Sequence, residues 1–254
     1  MTLFGISLVE ALPFVAVGFG AQLVDGALGM AFGVISNTLL ISLGVPPAAA
    51  SAGVHAVETF TTAASGISHV VHRNVDWGLF RRLALPGVAG GILGAYVLSH
   101  VDASAARPFV LAYLAAIGIY LLLRAIRHRA RVATPRVVAP LGLVGGFLDA
   151  AGGGGWGPIV TSNLLAQGSS PRQTVGTVNT VEFFLTATVS ATFIAHLGWN
   201  AFTPATVGLL IGGLLAAPLG AIVAKRMATQ RLLLFVGIVL VLTSLYGIVH
   251  ALAG

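Results

Sequence analysis

A run of four consecutive glycines inside an apolar stretch is the feature that most restricts how this chain folds. Residues 143–165 read LVGGFLDAAGGGGWGPIVTSNLL, and the glycine run begins three residues after Asp149. Each glycine costs about 1 kcal/mol of helix propensity relative to alanine, and Pro158 suits the first turn of a new helix. The pattern predicts that one helix ends here, that the backbone makes a tight passage, and that a second helix begins.

The composition is that of a chain that crosses a membrane several times. Hydrophobic residues make up 57% of the chain and charged residues 8%, with a mean hydropathy of +0.97, whereas a soluble domain carries about 25% charged residues. The net charge of +6 comes from arginines in short loops, so it reports membrane topology and not nucleic-acid binding. Non-helical backbone at membrane depth survives only where it is buried in protein or lines a cavity. The glycine run is therefore a candidate binding site.

The two halves of the chain repeat one pattern. Adding 124 to the residue number superimposes Asp25 on Asp149 and Glu58 on Glu182. Towards the end of each half the offset becomes 126, which pairs Tyr120 with Tyr246. We therefore divide the chain into a first repeat over residues 1–126, a basic linker over 127–136 and a second repeat over 137–254.

Apolar segments and basic loops predict how the two repeats lie in the membrane. Because about 20 apolar residues span a bilayer, we assign segments over residues 8–24, 27–43, 48–71, 83–99, 107–126, 137–149, 156–167, 174–197, 203–224 and 231–252. The basic loops, which are expected on the cytoplasmic side, contain Arg73, Arg81 and Arg82, then Arg124 to Arg136, then Lys225, Arg226 and Arg231. The loop after the third segment is then inside and its counterpart after the eighth is outside, and both termini face outward.

The prediction is an all-α polytopic membrane protein built from two inverted-topology repeats. Each repeat has a broken or re-entrant helix pair followed by three transmembrane helices, and whether segments 27–43 and 156–167 cross or re-enter is left open. Inverted repeats with interrupted helices at matching positions are typical of secondary transporters, which bind substrate near the midplane between the repeats. The alternative is a two-fold structural scaffold or a receptor.

Five titratable residues within the apolar segments are predicted to carry protons: Asp25, His55, Glu58, Asp149 and Glu182. A carboxylate at the bilayer centre is costly without a partner, a water path or a proton. Because an apolar setting disfavours the charged form, we expect Glu58 and Glu182 to be protonated part of the time. Two roles are open for Asp25 and Asp149, namely capping the backbone amides at the helix breaks or direct proton transfer.

Backbone amides at the two breaks are predicted to bind an anion. Exposed amides and the positive end of a half-helix attract negative charge, so such a site needs no arginine. The predicted substrate-binding residues are the glycines and the tryptophan at the breaks, with nearby amide side chains: Gly29, Gly33, Asn37, Gly153, Gly154, Gly155, Trp156, Gly157, Asn163 and Asn179. No metal and no cofactor are expected. Glycines spaced for close helix contact in the fourth and ninth segments are compatible with a homo-oligomer.

The motifs of both halves resemble those of one transporter family. Asp25-Gly26 with Gly29 and Gly33, repeated as Asp149 followed by GGGGWGP, is similar to the TauE/SafE sulfite exporter family of anion permeases. The resemblance covers residues 8–252. It implies a transporter of the bacterial inner membrane, and substrates such as sulfite, sulfonates, sulfoacetate or related organosulfur anions.

Two other functions compete with the anion transporter. In a cation transporter, the four intramembrane carboxylates would be ionised ligands, since hard cations prefer oxygen. An intramembrane enzyme is not expected, because the chain has no H-E-x-x-H motif.

Overall fold

The computed structural model describes residues 2–3, 6–28, 30–126, 134–199, 203–226 and 229–253. Over these residues the chain is helical, apart from a two-stranded antiparallel pair at the start, β1 (Thr2–Leu3) and β2 (Ile6–Ser7). The first half contains α1 (Leu8–Leu28), α2 (Phe32–Ser42), α3 (Pro47–Val71), α4 (Trp77–His100) and α5 (Ala103–Ile126). The second half contains α6 (Ala139–Gly152), a π-helical turn (Trp156–Thr161), α7 (Ser162–Ala166), α8 (Pro171–Leu197), α9 (Pro204–Arg226) and α10 (Thr229–Ala253). The all-helical class predicted from the sequence is confirmed.

Local sequence signals explain most of the helix ends. Pro47 and Pro171 occupy the first position of α3 and α8, where a missing amide hydrogen costs nothing. Asp76 caps α4, because its carboxylate accepts hydrogen bonds from the amides of Gly78 and Leu79. α6 ends at Gly152, and the following Gly153 adopts the left-handed conformation with φ of 69°.

Length and apolarity mark three described helices as able to cross a membrane: α4, α5 and residues 172–197 of α8. Shorter apolar stretches lie in α1, α2, α6, α9 and α10. At 1.5 Å per residue the 11 residues of α2 are about 16 Å long, roughly half of the 30 Å hydrocarbon layer. The π-helical turn and α7 together are equally short. Neither element crosses the membrane alone.

The main helix pairs each join one helix of the first half to one of the second half, and we call this exchanged packing. α1 packs on α9 and its counterpart α6 packs on α4, while α3 packs on α8 and α5 on α10. A side chain at Gly18 would collide with the carbonyl of Leu209, and one at Gly142 would collide with that of Leu83. Gly142 is Gly18 plus 124 and Leu209 is Leu83 plus 126, so equivalent residues make equivalent contacts. Residues 127–133 of the basic linker lie outside the described residues, and the division of the chain at this linker stays a prediction.

Candidate functional site at the two helix breaks

Each helix break is closed by an aspartate from the helix that ends there. The Oδ1 atom of Asp25 accepts hydrogen bonds from the amides of Ala31 at 2.7 Å and Phe32 at 3.1 Å. The Oδ1 atom of Asp149 accepts one from the amide of Trp156 at 2.8 Å. Phe32 and Trp156 are the first residues of the helical segments that follow the breaks, so both carboxylates lie at the positive end of a half-helix. The structure thus places both aspartates in the capping geometry.

The two breaks meet at the interface between the halves. A Cβ atom at Gly154 would lie 2.5 Å from the amide nitrogen of Val34, and one at Gly157 would lie 2.6 Å from the Cα of Met30. A Cβ atom at Gly33 would lie 3.3 Å from the Cα of Gly154. This backbone-to-backbone approach explains why small residues occupy the breaks. It also brings the N-terminal ends of α2 and the π-helical turn to one point.

A small polar cavity lies where the breaks meet. It encloses about 10 Å³, close to the minimum for one water molecule. Four acids line it together with backbone of both breaks: Asp25, Glu58, Asp149 and Glu182. In this conformation the cavity is too small for an anion of several heavy atoms.

His55 of the first half is paired with Asp149 of the second half. The Nε2 atom of His55 lies 3.0 Å from the Oδ2 atom of Asp149, and the side chains are 0% and 4% exposed. The Nδ1 atom of His55 lies 2.7 Å from the backbone carbonyl of Ser51. Because a carbonyl oxygen only accepts, Nδ1 carries a hydrogen, and a second hydrogen must lie between Nε2 and the carboxylate. The pair therefore holds one exchangeable proton in a site closed to solvent.

Glu58 lies on the same side of α3 as His55 and approaches the first break. Its carboxylate lies against the Cα of Gly33, where an added Cβ would be 2.8 Å from Oε1. Glu58 is 6% exposed, and its own backbone carbonyl accepts a 2.6 Å hydrogen bond from Thr62. Ser51, His55, Glu58 and Thr62 are all buried and follow helical spacing, so they form one polar stripe on α3. Glu182 is half-buried at the equivalent place on α8.

The glycine-rich break is held by two side chains from the first half. Gly153, Gly154 and Gly155 have φ values of 69°, 140° and 152°, which side-chain-bearing residues rarely adopt. The hydroxyl of Tyr113 on α5 donates to the Gly154 carbonyl at 3.0 Å, and the Nδ2 of Asn37 on α2 donates to the Gly152 carbonyl at 3.1 Å. These bonds satisfy carbonyls that the helix end leaves unpaired.

Only some of the predicted substrate-binding residues lie at the cavity. Gly33, Gly155 and Gly157 line it. Gly153 and Gly154 belong to the same passage but face Asn37 and Val34. Gly29 lies outside the described residues. Asn37 supports the passage through its bond to Gly152.

Three other predicted residues lie away from the cavity. The ring of Trp156 is fully buried beside Gly87 and Gly145, and its indole nitrogen donates to the carbonyl of Val178 at 3.3 Å. Asn163 is exposed and donates to the carbonyl of Ile159 in its own helical turn. Asn179 is half-buried on α8 and does not line the cavity.

Two contributors were absent from the sequence prediction. The hydroxyl of Ser51 donates a 2.8 Å hydrogen bond to the carbonyl of Ala150, and its oxygen lies beside the Nδ1 atom of His55. Its spacing of four residues from His55 was a usable signal. No sequence signal indicated Tyr113, because tyrosines in apolar helices are common at membrane interfaces. Among the described residues, no group of three or more His, Asp or Glu side chains is arranged to hold a metal ion.

Sequence comparison with known proteins finds a matching family and a matching curated relative. The family model described as "Sulfite exporter TauE/SafE" matches residues 14–247. A curated relative, "Probable membrane transporter protein YtnM" of Bacillus subtilis (strain 168), is 40% identical over 237 residues, covering 90% of this chain and 79% of the relative. No solved structure gives a significant match. The chain is a membrane transporter, not an enzyme, and it belongs to the sulfite exporter TauE/SafE family.

Proposed function

We propose that this protein is a proton-coupled secondary transporter of small anions, with sulfite, sulfonates, sulfoacetate and related organosulfur anions as the substrate class. The anion binds where the two helix breaks meet, between the repeats and near the midplane. One observation carries the proposal: the amides that would bind an anion are the same amides that Asp25 and Asp149 cap. The choice of sulfur anions rests on the family to which the chain belongs.

The shared amides suggest how protons and anions are coupled. A carboxylate that accepts a hydrogen bond from an amide becomes a weaker acceptor when it is protonated, because charge-assisted bonds are about twice as strong as neutral ones. Protonation of Asp149, with the proton supplied from the His55 pair, then frees the Trp156 amide for a substrate anion. Proton binding and anion binding thus favour each other at one site, and the two move together.

The repeats are proposed to have inverted topology in the bacterial inner membrane, with both termini outside. The exchanged packing of α1 on α9 and α6 on α4 supports a two-fold relation between the halves. The natural chain has no cysteine, so single cysteines can be introduced at Arg73 and Trp199 and labelled in intact cells with an impermeant reagent. Labelling from outside at position 199 alone supports inversion, and labelling of both positions from one side refutes it.

Anion binding can be tested by thermal stabilisation of the purified protein. A ligand that binds only the folded state raises stability by RT ln(1 + [L]/Kd). Sulfite and sulfonates are expected to stabilise the protein, and to do so more strongly at pH 5.5 than at pH 7.5. Stabilisation by sodium or a divalent metal ion instead, lost at low pH, would support the cation transporter and overturn the proposal.

Proton coupling can be tested with variants that keep the capping oxygens but cannot take up a proton. Asp149→Asn is expected to bind the anion with little dependence on pH and to lose proton-driven uptake in proteoliposomes. Asp76→Asn is the matched control, because Asp76 caps α4 and does not line the cavity. Glu58→Gln and Glu182→Gln are expected to remain folded and to weaken coupling. Coupling at the level of the unmodified protein in all three cavity variants would refute the proton mechanism.

A further inference from the structure

Two apolar grooves on the outer face of the helix bundle form a related pair. The first, called groove A, has a volume of about 420 Å³ and lies between α3, α8 and the start of α4, with Val70, Trp77 and Phe184 in its lining. The second, groove B, has a volume of about 490 Å³ and includes Phe60, Ile194 and Trp199. Phe184 is Phe60 plus 124, and Ile194 is Val70 plus 124, so the grooves are equivalent positions of the two repeats.

Both grooves face the surroundings of the protein. Trp77 is 53% exposed and Trp199 is 75% exposed. In a membrane protein such a surface contacts lipid, and tryptophans near helix ends lie at the level of the headgroups. Apart from threonine and serine hydroxyls, the side chains that line both grooves are apolar. The occupant that fits this lining is a hydrocarbon chain.

The surroundings of the two grooves differ in charge. Three exposed arginines border groove A: Arg73 follows Val71 by two residues, Arg81 donates through Nε to the carbonyl of Trp77, and Arg172 donates to the carbonyl of His72. The one carboxylate in residues 72–82 is that of Asp76, and it is engaged in capping α4. Trp199 lies in the lining of groove B, and residues 196–203 of the sequence contain no arginine, lysine or acid.

We propose that groove A binds an acyl chain of an anionic phospholipid whose headgroup phosphate lies against Arg73 and Arg81. Arginines near the membrane surface attract anionic lipids, whereas an apolar groove alone does not distinguish headgroups. The lipid also contacts the helices that carry the intramembrane acids. Thr62 in the lining of groove A donates to the backbone carbonyl of Glu58 at 2.6 Å. A lipid in groove A would therefore contact Thr62, which is hydrogen-bonded to Glu58 near the first break. This lipid site does not depend on which substrate is moved.

The three tryptophans of the chain make the test selective, because one lies in each groove and Trp156 is fully buried. The Trp199→Phe variant keeps Trp77, which reports on groove A. The Trp77→Phe variant keeps Trp199, which reports on groove B. Each purified variant is titrated in micelles with phosphatidylglycerol or phosphatidylcholine brominated in the acyl chain, and quenching of tryptophan fluorescence is measured. The Trp77 reporter is expected to be quenched at lower concentrations of phosphatidylglycerol than of phosphatidylcholine. The Trp199 reporter is expected to respond equally to both lipids.

Removing the arginines should abolish the preference at groove A. Arg73→Asn/Arg81→Gln is expected to weaken quenching by phosphatidylglycerol by about fivefold per arginine and to leave phosphatidylcholine unchanged. Asparagine is chosen at position 73 because Arg73 has a positive φ of 54°, which asparagine tolerates. The control is Arg231→Gln, which removes one arginine at an exposed position on α10. An unchanged groove B reporter shows that each variant is folded.

Two results would overturn the proposal. Equal quenching of Trp77 by both lipids means that groove A contacts bulk lipid without selection. Absence of quenching by either lipid, together with elution of the protein as a dimer, means that a second copy of the chain covers the groove.

Discussion

Replacing His55 by alanine should cost far more stability than the loss of one histidine on a helix surface. The His55 and Asp149 side chains are 0% and 4% exposed, so neither solvent nor salt screens the pair. Removing one partner of a buried pair leaves the other charged and unpaired, which lowers the free energy of unfolding by about 3–5 kcal/mol. In an Asp149→Asn background no charge is stranded, and the same histidine replacement costs about 1–3 kcal/mol, the penalty of an unpaired neutral group. The double-mutant cycle should therefore show a coupling energy of about 2 kcal/mol.

The assay is reversible unfolding in mixed micelles, followed by circular dichroism, for the unmodified protein, both single variants and the double variant. His72→Ala is the matched control. The Nδ1 atom of His72 lies 2.8 Å from the carbonyl of Ser68, as that of His55 lies 2.7 Å from the carbonyl of Ser51, but His72 is exposed and its ring contacts no described carboxylate. Its replacement should change stability by less than about 0.5 kcal/mol. If the effects of His55→Ala and Asp149→Asn add within about 0.5 kcal/mol, the shared-proton reasoning is wrong.

Three further predictions concern the glycine passage and the loop between α4 and α5. Gly154→Ala should lose substrate-induced thermal stabilisation, whereas the control Gly44→Ala should keep it. Both glycines have a positive φ, but only at Gly154 would the new Cβ meet backbone atoms. Equal losses in the two variants would contradict the role of close backbone approach. Tyr113→Phe should destabilise the protein by about 0.5–1.5 kcal/mol through loss of one hydrogen bond, and an unchanged unfolding midpoint would contradict this. The hydroxyl of Ser104 and nearby amides lower the pKa of Asp102, so its contribution to stability is present above the unfolded pKa and is lost as pH falls through the folded pKa. Asp102→Asn should therefore reduce stability at neutral pH and have no effect at strongly acidic pH, as measured by unfolding at both.

Several features could be predicted from the sequence because they depend on neighbouring residues. Membrane character follows from the apolar composition, and the family follows from motifs that are local in the chain. The break after Gly152 was predictable because four glycines resist helix formation whatever surrounds them. The capping geometry of Asp25 and Asp149 was one of the two roles left open. Each aspartate lies seven residues before the amide of Phe32 or Trp156, within reach of its own break.

Only the tertiary structure decided which distant groups meet. His55 and Asp149 are 94 residues apart, and no spacing in the sequence indicates that they meet. The ring actually reaches across to the second half, since α3 packs where α6 ends. Tyr113 reaches Gly154 and Trp156 turns away from the cavity for the same reason. These contacts arise from the exchanged packing of the halves, and local patterns carry no information about which surfaces a helix meets. The chain by itself determined where the helices break and which acids lie within apolar segments. The packing of the halves decided that both breaks and all four acids share one cavity.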